Sequence, residues 1–191
     1  MFFIYSLLFI LLFSLVVLTF FYVFLVVGYV KTGVPFVPRP KNKQNKIFEL
    51  INLKPGETLV DLGCGDATFL IAAEKKYKIK AIGYEKSLCA FLISKINVFL
   101  SRSKAKIFYQ NFFEADLSEA DVVFCYLFPF LMVRVSEKLK KDLKPRARIY
   151  SLAFSLSDWP NQEVRYLDEK KKKGKIFVYY QSDTKNTNTL E

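Results

Sequence analysis

The chain has 191 residues, and its 29 basic and 18 acidic side chains give a net charge of +11 at neutral pH. It contains no histidine, and its three cysteines have no Cys-x-x-Cys spacing, so the common zinc frameworks are excluded and no metal is expected. An odd number of widely spaced cysteines favours reduced thiols.

Residues 1–30 contain no charged side chain, and Phe2 to Gly28 is almost wholly Phe, Leu, Val, Ile and Tyr. As a helix rising ~1.5 Å per residue this run would be roughly 40 Å long, more than the ~30 Å hydrocarbon core of a bilayer. It lacks the basic start and small-residue cleavage site of a signal peptide. The sequence therefore predicts a single-pass transmembrane anchor over residues 1–30.

Basic residues follow the apolar run closely, beginning with Lys31 and Arg39, while its N-terminal side has no charge. The positive-inside rule then predicts that the rest of the chain is cytoplasmic. Because an anionic leaflet attracts nearby cations at about 1 kcal/mol each, the basic charge favours the lipid bilayer as a partner, and no nucleic acid is expected.

The remainder has the length of one domain. Residues 31–41 contain three prolines and predict a stiff, basic, proline-rich linker. Residues 42–181 are predicted to form the domain, which starts with a short amphipathic helix ended by Pro55-Gly56. The polar tail, residues 182–191, is predicted to be disordered.

Within the domain, apolar strands alternate with amphipathic helices, a pattern that predicts an open, Rossmann-like α/β sheet flanked by helices. The predicted strands are Thr58–Leu62, Lys80–Tyr84, Lys106–Tyr109, Asp121–Tyr126 and Arg148–Phe154. Helices are predicted at Ala67–Lys76, from a Ser87 N-cap to about Leu100, and at Met132–Leu143. A terminal hairpin of Val164–Leu167 and Ile176–Gln181 is predicted around a solvated, lysine-rich turn.

The first strand runs directly into Gly63-Cys64-Gly65, flanked by Asp61 and Asp66. Glycines there allow the backbone to approach a ligand closely, beside the free N–H groups of the next helix. A dinucleotide fingerprint would need a third glycine at Thr68, so that match fails. S-adenosylmethionine fits better: Asp61 could bind its ammonium, and the backbone of Gly63, Cys64 and Gly65 its methionyl portion.

Glu85 ends the second strand and could accept both ribose hydroxyls, although nicotinamide and methyl-donor cofactors share that ribose. Alternatively it is only an acidic residue at the start of the next helix. Asn111 and Phe112 follow the third strand, where they could bind and stack on adenine, or could be ordinary loop and core residues. Tyr126 follows the most apolar strand, at the sheet edge where active sites gather.

Several motifs in this order carry a family resemblance over roughly Val34 to Trp159. They are Pro35-Phe36-Val37-Pro38, Lys54-Pro55-Gly56-Glu57, Val60-Asp61-Leu62-Gly63-Cys64-Gly65-Asp66, Ile82-Gly83-Tyr84-Glu85, Tyr126-Leu127-Phe128-Pro129 and Leu143-Lys144-Pro145. The chain resembles class I, seven-strand methyltransferases that include membrane-anchored protein lysine methyltransferases. Their mitochondrial relatives modify the adenine nucleotide translocase and the ATP synthase c-subunit.

The resemblance implies that Asp61, Gly63, Gly65 and Glu85 bind S-adenosylmethionine. Asn111 stands where relatives usually have Asp, which keeps the acceptor and loses the charge. Ala67 replaces a usual glycine, a change that is tolerable if its φ is negative, and Thr68 replaces an Arg that often follows. The segment from Phe154 to Trp159 keeps the Phe and Asp-Trp of the relatives but lacks an acid that some carry between them.

The expected function is methyl transfer to a lysine amine of a membrane or membrane-adjacent protein. With no histidine as a base, Tyr126 is the candidate for orienting the amine, and Asp158 is a weaker one. Two alternatives stay open. The chain could methylate a lipid or small molecule at the membrane, or it could be an inactive cofactor-binding membrane protein.

Overall fold

The computed structural model describes residues 2–32, 44–159 and 162–182, and it describes the side chains of all these residues except 24–32. The chain divides into two compact units, Met1–Pro35 and Phe36–Glu191. The first contains helix α1 (Phe2–Thr32). Its part Phe2–Val23 is long and apolar enough to cross a membrane, judged by length and composition, and all of those side chains are exposed.

The second unit is built on a seven-stranded sheet in the order β3-β2-β1-β4-β5-β7-β6. The first five strands of this order are parallel, and β7 pairs antiparallel with β5 and β6. The strands are β1 Thr58–Leu62, β2 Lys80–Glu85, β3 Lys106–Tyr109, β4 Val122–Cys125, β5 Arg148–Leu152, β6 Glu163–Asp168 and β7 Lys173–Tyr180. The helices are α2 Gln44–Ile51, α3 Thr68–Tyr77, α4 Leu88–Leu100 and α5 Met132–Asp142.

Every predicted strand and helix of the domain is present, and the differences lie at their ends. Strand β5 stops at Leu152, because Ala153 has a φ of +74° that breaks the extended backbone. The basic turn is tighter than predicted, since Lys173 already pairs with Asp168 across the hairpin, and its lysines are exposed as expected. Most of the predicted linker and nearly all of the predicted tail lie outside the described residues.

Two apolar layers cover the two faces of the sheet. Strand residues alternate between them: Leu59 packs into the layer formed with α2 and α3, and Val60 into the layer formed with α5. In the first layer the Phe69 ring lies 4.9 Å from the Phe48 ring and 4.5 Å from the Phe124 ring, between ring centres. Because β1, β2 and β4 run parallel, their carboxyl ends meet at one edge of the sheet.

Candidate functional site

The glycine loop leaves β1 at this edge and is fastened to the neighbouring strand. Gly63 and Gly65 have φ values of +74° and +60°, which an L side chain adopts only with strain. The backbone N–H groups of Gly63 and Cys64 both donate to the Tyr84 carbonyl oxygen of β2, at 2.9 and 3.1 Å. The predicted turn at the two glycines is therefore present.

Ala67 lies between the loop and α3, and its φ is +59°, so the condition that would make this replacement of a glycine tolerable is not met. The reason is the turn itself, because the Ala67 N–H donates back to the Cys64 carbonyl oxygen at 3.1 Å. A left-handed conformation costs an alanine roughly 1–2 kcal/mol, and burying its methyl group regains ~0.8 kcal/mol. Thr68 then starts α3, with its N–H and hydroxyl both donating to Asp66 Oδ1.

Glu85 contacts both the loop and the start of the next helix. Its Oε2 accepts from the Gly65 N–H at 2.9 Å, and its Oε1 accepts from the Ser87 N–H at 2.7 Å. Ser87 occupies the N-cap position of α4, but its side chain makes no capping bond, so the carboxylate supplies the cap instead. Burial raises the pKa of Glu85, the two backbone bonds oppose that rise, and the Asp61 charge adds to it.

Asp61 is completely buried, and it lies between Gly83 of β2 and Phe124 of β4 in the strand register. Gly83 was not singled out as a site residue, although a glycine inside a strand can indicate a close approach. A Cβ there would lie 2.6 Å from both Cys64 Sγ and Leu70 Cδ1. The missing side chain of Gly83 therefore makes room for the loop and α3.

Asn97 is a second residue that the sequence did not reveal. Its Nδ2 donates to the Asp66 carbonyl oxygen at 2.9 Å, which connects α4 to the far end of the glycine loop. The two residues are 31 positions apart, so no local pattern could predict the bond.

Asn111 and Phe112 lie beyond β3, next to the end of β2, because the Gln110 N–H donates to the Glu85 carbonyl oxygen at 3.1 Å. Asn111 Oδ1 accepts from the Phe113 N–H at 3.2 Å and starts a short 3₁₀ turn. The Phe112 and Phe113 rings lie 4.4 Å apart, partly buried on the second layer. Asn111 and Phe112 thus lie beside Glu85, the residue assigned to the ribose. Their contact with adenine stays a prediction.

Tyr126 directly follows β4 and is partly buried against the first apolar layer. The segment that it begins lies against the glycine loop, because a Cβ on Gly63 would come within 3.1 Å of Leu127 Cδ2. The structure thus brings Tyr126 to the same edge as Asp61 and Glu85.

The structure does not bring Asp158 together with Asp61 and Glu85, and a catalytic role for it stays a prediction. Its carbonyl oxygen accepts from Lys140 Nζ at 2.5 Å, in the last turn of α5. The neighbouring Trp159 Nε1 donates to the carbonyl oxygen of Tyr180, which pairs with the first residue of β5. Because the chain turns back after β5, Asp158 lies towards the amino end of that strand, near the last turn of α5.

Comparisons with known proteins show which family this chain belongs to. A family model described as the ANTKMT methyltransferase domain matches residues 61–163. A protein-lysine N-methyltransferase of Saccharolobus islandicus is 31% identical over 149 residues, which are 76% of this chain and 92% of that protein. A human lysine N-methyltransferase named for the ATP synthase c-subunit is 26% identical over 70% of this chain, and the chain spans only 58% of it.

Among solved structures, an RNA methyltransferase from Salinibacter ruber in complex with S-adenosyl-L-homocysteine has a TM-score of 0.71 at 24% identity. The match covers 81% of this chain and all of the other, and at this identity it establishes the fold alone. A SAM-dependent methyltransferase from Thiobacillus denitrificans, also in complex with S-adenosyl-L-homocysteine, has a TM-score of 0.54 at 17% identity over 70% of this chain and 53% of the other. The fold is therefore that of the class I methyltransferases.

The residues at the carboxyl edge fit S-adenosylmethionine as the cofactor. Asp61 supplies a buried negative charge beside the glycine loop, and Glu85 presents a carboxylate whose two oxygens each accept one backbone bond. A carboxylate has about four acceptor positions, so Glu85 retains capacity for two ribose hydroxyls. The positive φ of Gly63 and Gly65 favours glycine at both positions of the loop.

Proposed function

We propose that this chain, which belongs to the ANTKMT methyltransferase domain family and is an S-adenosylmethionine-dependent methyltransferase, acts on a lysine amine of a protein at or in a membrane. The lysine assignment rests on the relative from Saccharolobus islandicus, which is named a protein-lysine N-methyltransferase. The chain covers 92% of that protein. Relatives named for the ATP synthase c-subunit and the adenine nucleotide translocase support a membrane acceptor.

The cofactor supplies a methyl group on a sulfonium, which an amine can take by in-line displacement. The contribution of the protein is then mainly to hold donor and acceptor in that line. Asp61 is assigned to the ammonium end and Glu85 to the ribose in the middle, so the two carboxylates would bind two points of one extended molecule across the glycine loop.

The acceptor must reach the site as a neutral amine, although a free lysine has a pKa of ~10.4. Apolar surroundings lower that pKa because they disfavour the ammonium. Aromatic side chains follow Tyr126 after β4: the Phe128 and Phe130 rings lie 6.0 Å apart, and Phe130 is 65% exposed. The Tyr126 hydroxyl is the proposed acceptor of a hydrogen bond from the amine, which would orient its lone pair towards the methyl group.

Helix α1 is proposed as the anchor that places this site on the cytoplasmic side of a membrane. Its length and apolar composition support the assignment, as do the basic residues that follow it. A tether raises the effective concentration of acceptors in the same membrane, whereas it offers nothing to a dissolved substrate.

The test is to incubate the purified full chain with tritiated methyl donor and membranes from cells that lack this gene. We expect label in a protein band and, after acid hydrolysis, in methylated lysine. Label in the lipid extract alone would show a lipid acceptor instead, and cofactor binding without any labelled product would show a binding protein without activity.

Two isosteric variants locate the activity. Asp61→Asn keeps the shape of the buried side chain and removes its charge, so labelling should fall at least about a hundredfold. Asp158→Asn makes the same change at an exposed position near the opposite edge of the sheet and should retain full activity. Equal labelling by Asp61→Asn and the unchanged chain would overturn the assignment of the site.

A further inference from the structure

Helix α4 has an apolar outward side, whereas a helix that covers a sheet usually turns polar side chains outward. Its buried residues are Ala90 and Ser94. Ser94 donates within the helix to the Phe91 carbonyl oxygen, and Asn97, on the same side, donates to the Asp66 carbonyl oxygen. Ser94 and Asn97 thus point inward, where the loop and the helix backbone satisfy them, on the same side as Phe91 and Val98, which pack against the first apolar layer.

The outward side of α4 is apolar along its whole length. At 100° per residue, its exposed apolar side chains fall within an arc of about 140°. They are Leu88 (41% exposed), Leu92 (46%), Ile93 (49%), Ile96 (57%), Phe99 (81%) and Leu100 (72%). Lys95 borders this arc, and Tyr109, 56% exposed on the edge strand β3, extends the surface where its ring meets Phe91 at 5.4 Å.

Exposed basic side chains lie on and around helix α4. Residues 86–110 contain no acidic side chain, and their basic residues are all exposed: Lys86, Lys95, Arg102, Lys104 and Lys106. Glu74 of α3 lies beside the end of α4, where its carboxylate accepts from the Ser103 hydroxyl and the Lys104 N–H. A second copy of the same surface would meet five like charges, whereas an anionic bilayer offers both apolar depth and opposite charge.

We propose that the outward face of α4 lies in the interface of an anionic bilayer, as a membrane contact made by the folded domain in addition to α1. The first turn of α4 borders the cofactor site through the bond from the Ser87 N–H to Glu85. Contact along α4 would therefore bring the end of β2 close to the bilayer surface. The inference rests on the proposed membrane location and is independent of the chemical identity of the acceptor.

The test uses fluorescence quenching by brominated lipids in vesicles that contain the full chain. The chain has one tryptophan, Trp159, so Phe99→Trp adds a reporter at the most exposed point of the α4 surface. In vesicles of phosphatidylcholine with phosphatidylglycerol we expect brominated lipid to lower the added emission at least about twofold, because an interfacial helix face reaches about 5–10 Å into the bilayer boundary. The matched control is Val164→Trp, on the opposite edge strand β6, which should not be quenched.

Flotation of the same vesicles separates this inference from the proposed anchor. If the chain floats but Phe99→Trp is quenched no more than Val164→Trp, the anchor stands and the α4 contact is overturned. If the chain floats only with anionic vesicles and Phe99→Trp is quenched there, the α4 contact stands and the anchor fails. Replacing Lys86, Arg102, Lys104 and Lys106 by Gln should weaken the quenching of Phe99→Trp in anionic vesicles. If that quenching were unchanged, the charge argument would be contradicted.

Discussion

Glu85 shows how one side chain can serve both the structure and the ligand. Its carboxylate joins the glycine loop to the start of α4 through the Gly65 and Ser87 N–H groups, while the same oxygens are assigned to the ribose. A glutamine has the same length but presents one acceptor oxygen and no charge. A glutamine at this position would therefore weaken both roles, the bond to one backbone N–H and the binding of the ribose.

Glu85→Gln should weaken the binding of S-adenosylhomocysteine about 10- to 100-fold, since hydrogen bonds to a charged group contribute about 1.5–3 kcal/mol. Titration calorimetry on the purified chain would measure this. The control is Glu119→Gln, at an exposed position away from the site, which should bind like the unchanged chain. Equal affinities for both variants would remove Glu85 from the cofactor site.

The same variant should change how stability depends on pH. Burial raises the pKa of Glu85 above its ordinary value of 4.5, so the folded state holds this proton more tightly than the unfolded state. Its stabilising contribution is complete below the ordinary pKa and is lost as the pH rises through the raised pKa. Relative to the unchanged chain, Glu85→Gln should therefore gain unfolding free energy as the pH rises above about 4.5 and then level off.

Urea unfolding in detergent at a series of pH values would record this difference, with Glu119→Gln as the reference. If the unfolding free energy of Glu85→Gln minus that of the unchanged chain fell with rising pH, the change would have the opposite sign to the one expected from burial.

At the scale of elements, the glycine loop depends on the strand beneath it. Gly83→Ala would place a Cβ 2.6 Å from Cys64 Sγ and from Leu70 Cδ1, so the loop and α3 would have to move together. We expect the unfolding free energy to fall by about 1–3 kcal/mol, the usual cost of overpacking, and the cofactor affinity to fall with it. Thermal unfolding with and without S-adenosylhomocysteine would measure both.

Gly56→Ala is the matched control for Gly83→Ala. Gly56 has a φ of +85° and no atom within 4 Å of an added Cβ, so its substitution costs backbone strain without a collision. Stability should fall while the cofactor affinity is retained. If Gly83→Ala also kept its affinity, the packing of the loop on β2 would not matter for binding.

At the scale of the whole domain, Arg148 connects parts of the chain that are more than ninety residues apart. Its guanidinium donates to both oxygens of Glu57, at 2.7 and 2.6 Å, and to the Asn52 carbonyl oxygen at 2.9 Å. The Arg148 and Glu57 side chains are only 16% and 19% exposed. This pair holds the connection between α2 and β1 against the start of β5.

Arg148→Gln should lower the unfolding free energy by about 2–3 kcal/mol, because it removes the guanidinium from a mostly buried carboxylate, which keeps only the Lys54 N–H as a donor, and from the Asn52 carbonyl oxygen. The comparison is Lys46→Gln, which breaks the Lys46–Glu49 pair, 48% and 59% exposed and worth about 0.5 kcal/mol or less. Urea unfolding of both variants would test this, and similar losses would show that burial adds nothing to the Arg148 pair.

Much of the fold follows from neighbouring residues, and long-range packing decides the rest. The strand, the two glycines and the following helix could be predicted because turn geometry and apolar periodicity are properties of contiguous residues. The same holds for Glu85, whose position at the end of β2 follows from the strand itself. The φ of Ala67 could not be predicted, since it depends on how the loop returns to meet α3.

By itself, the sequence determined the alternation of strands and helices, the cofactor loop and the resemblance that identified the methyl donor. Only the tertiary structure decided which distant residues meet: Gly83 beneath Cys64, Asn97 on Asp66, and Asp158 at the opposite edge of the sheet. It also showed that α4 turns its apolar side outward. The physical reason is that periodicity identifies a helix face, whereas packing against the sheet decides whether that face meets the core or the surroundings.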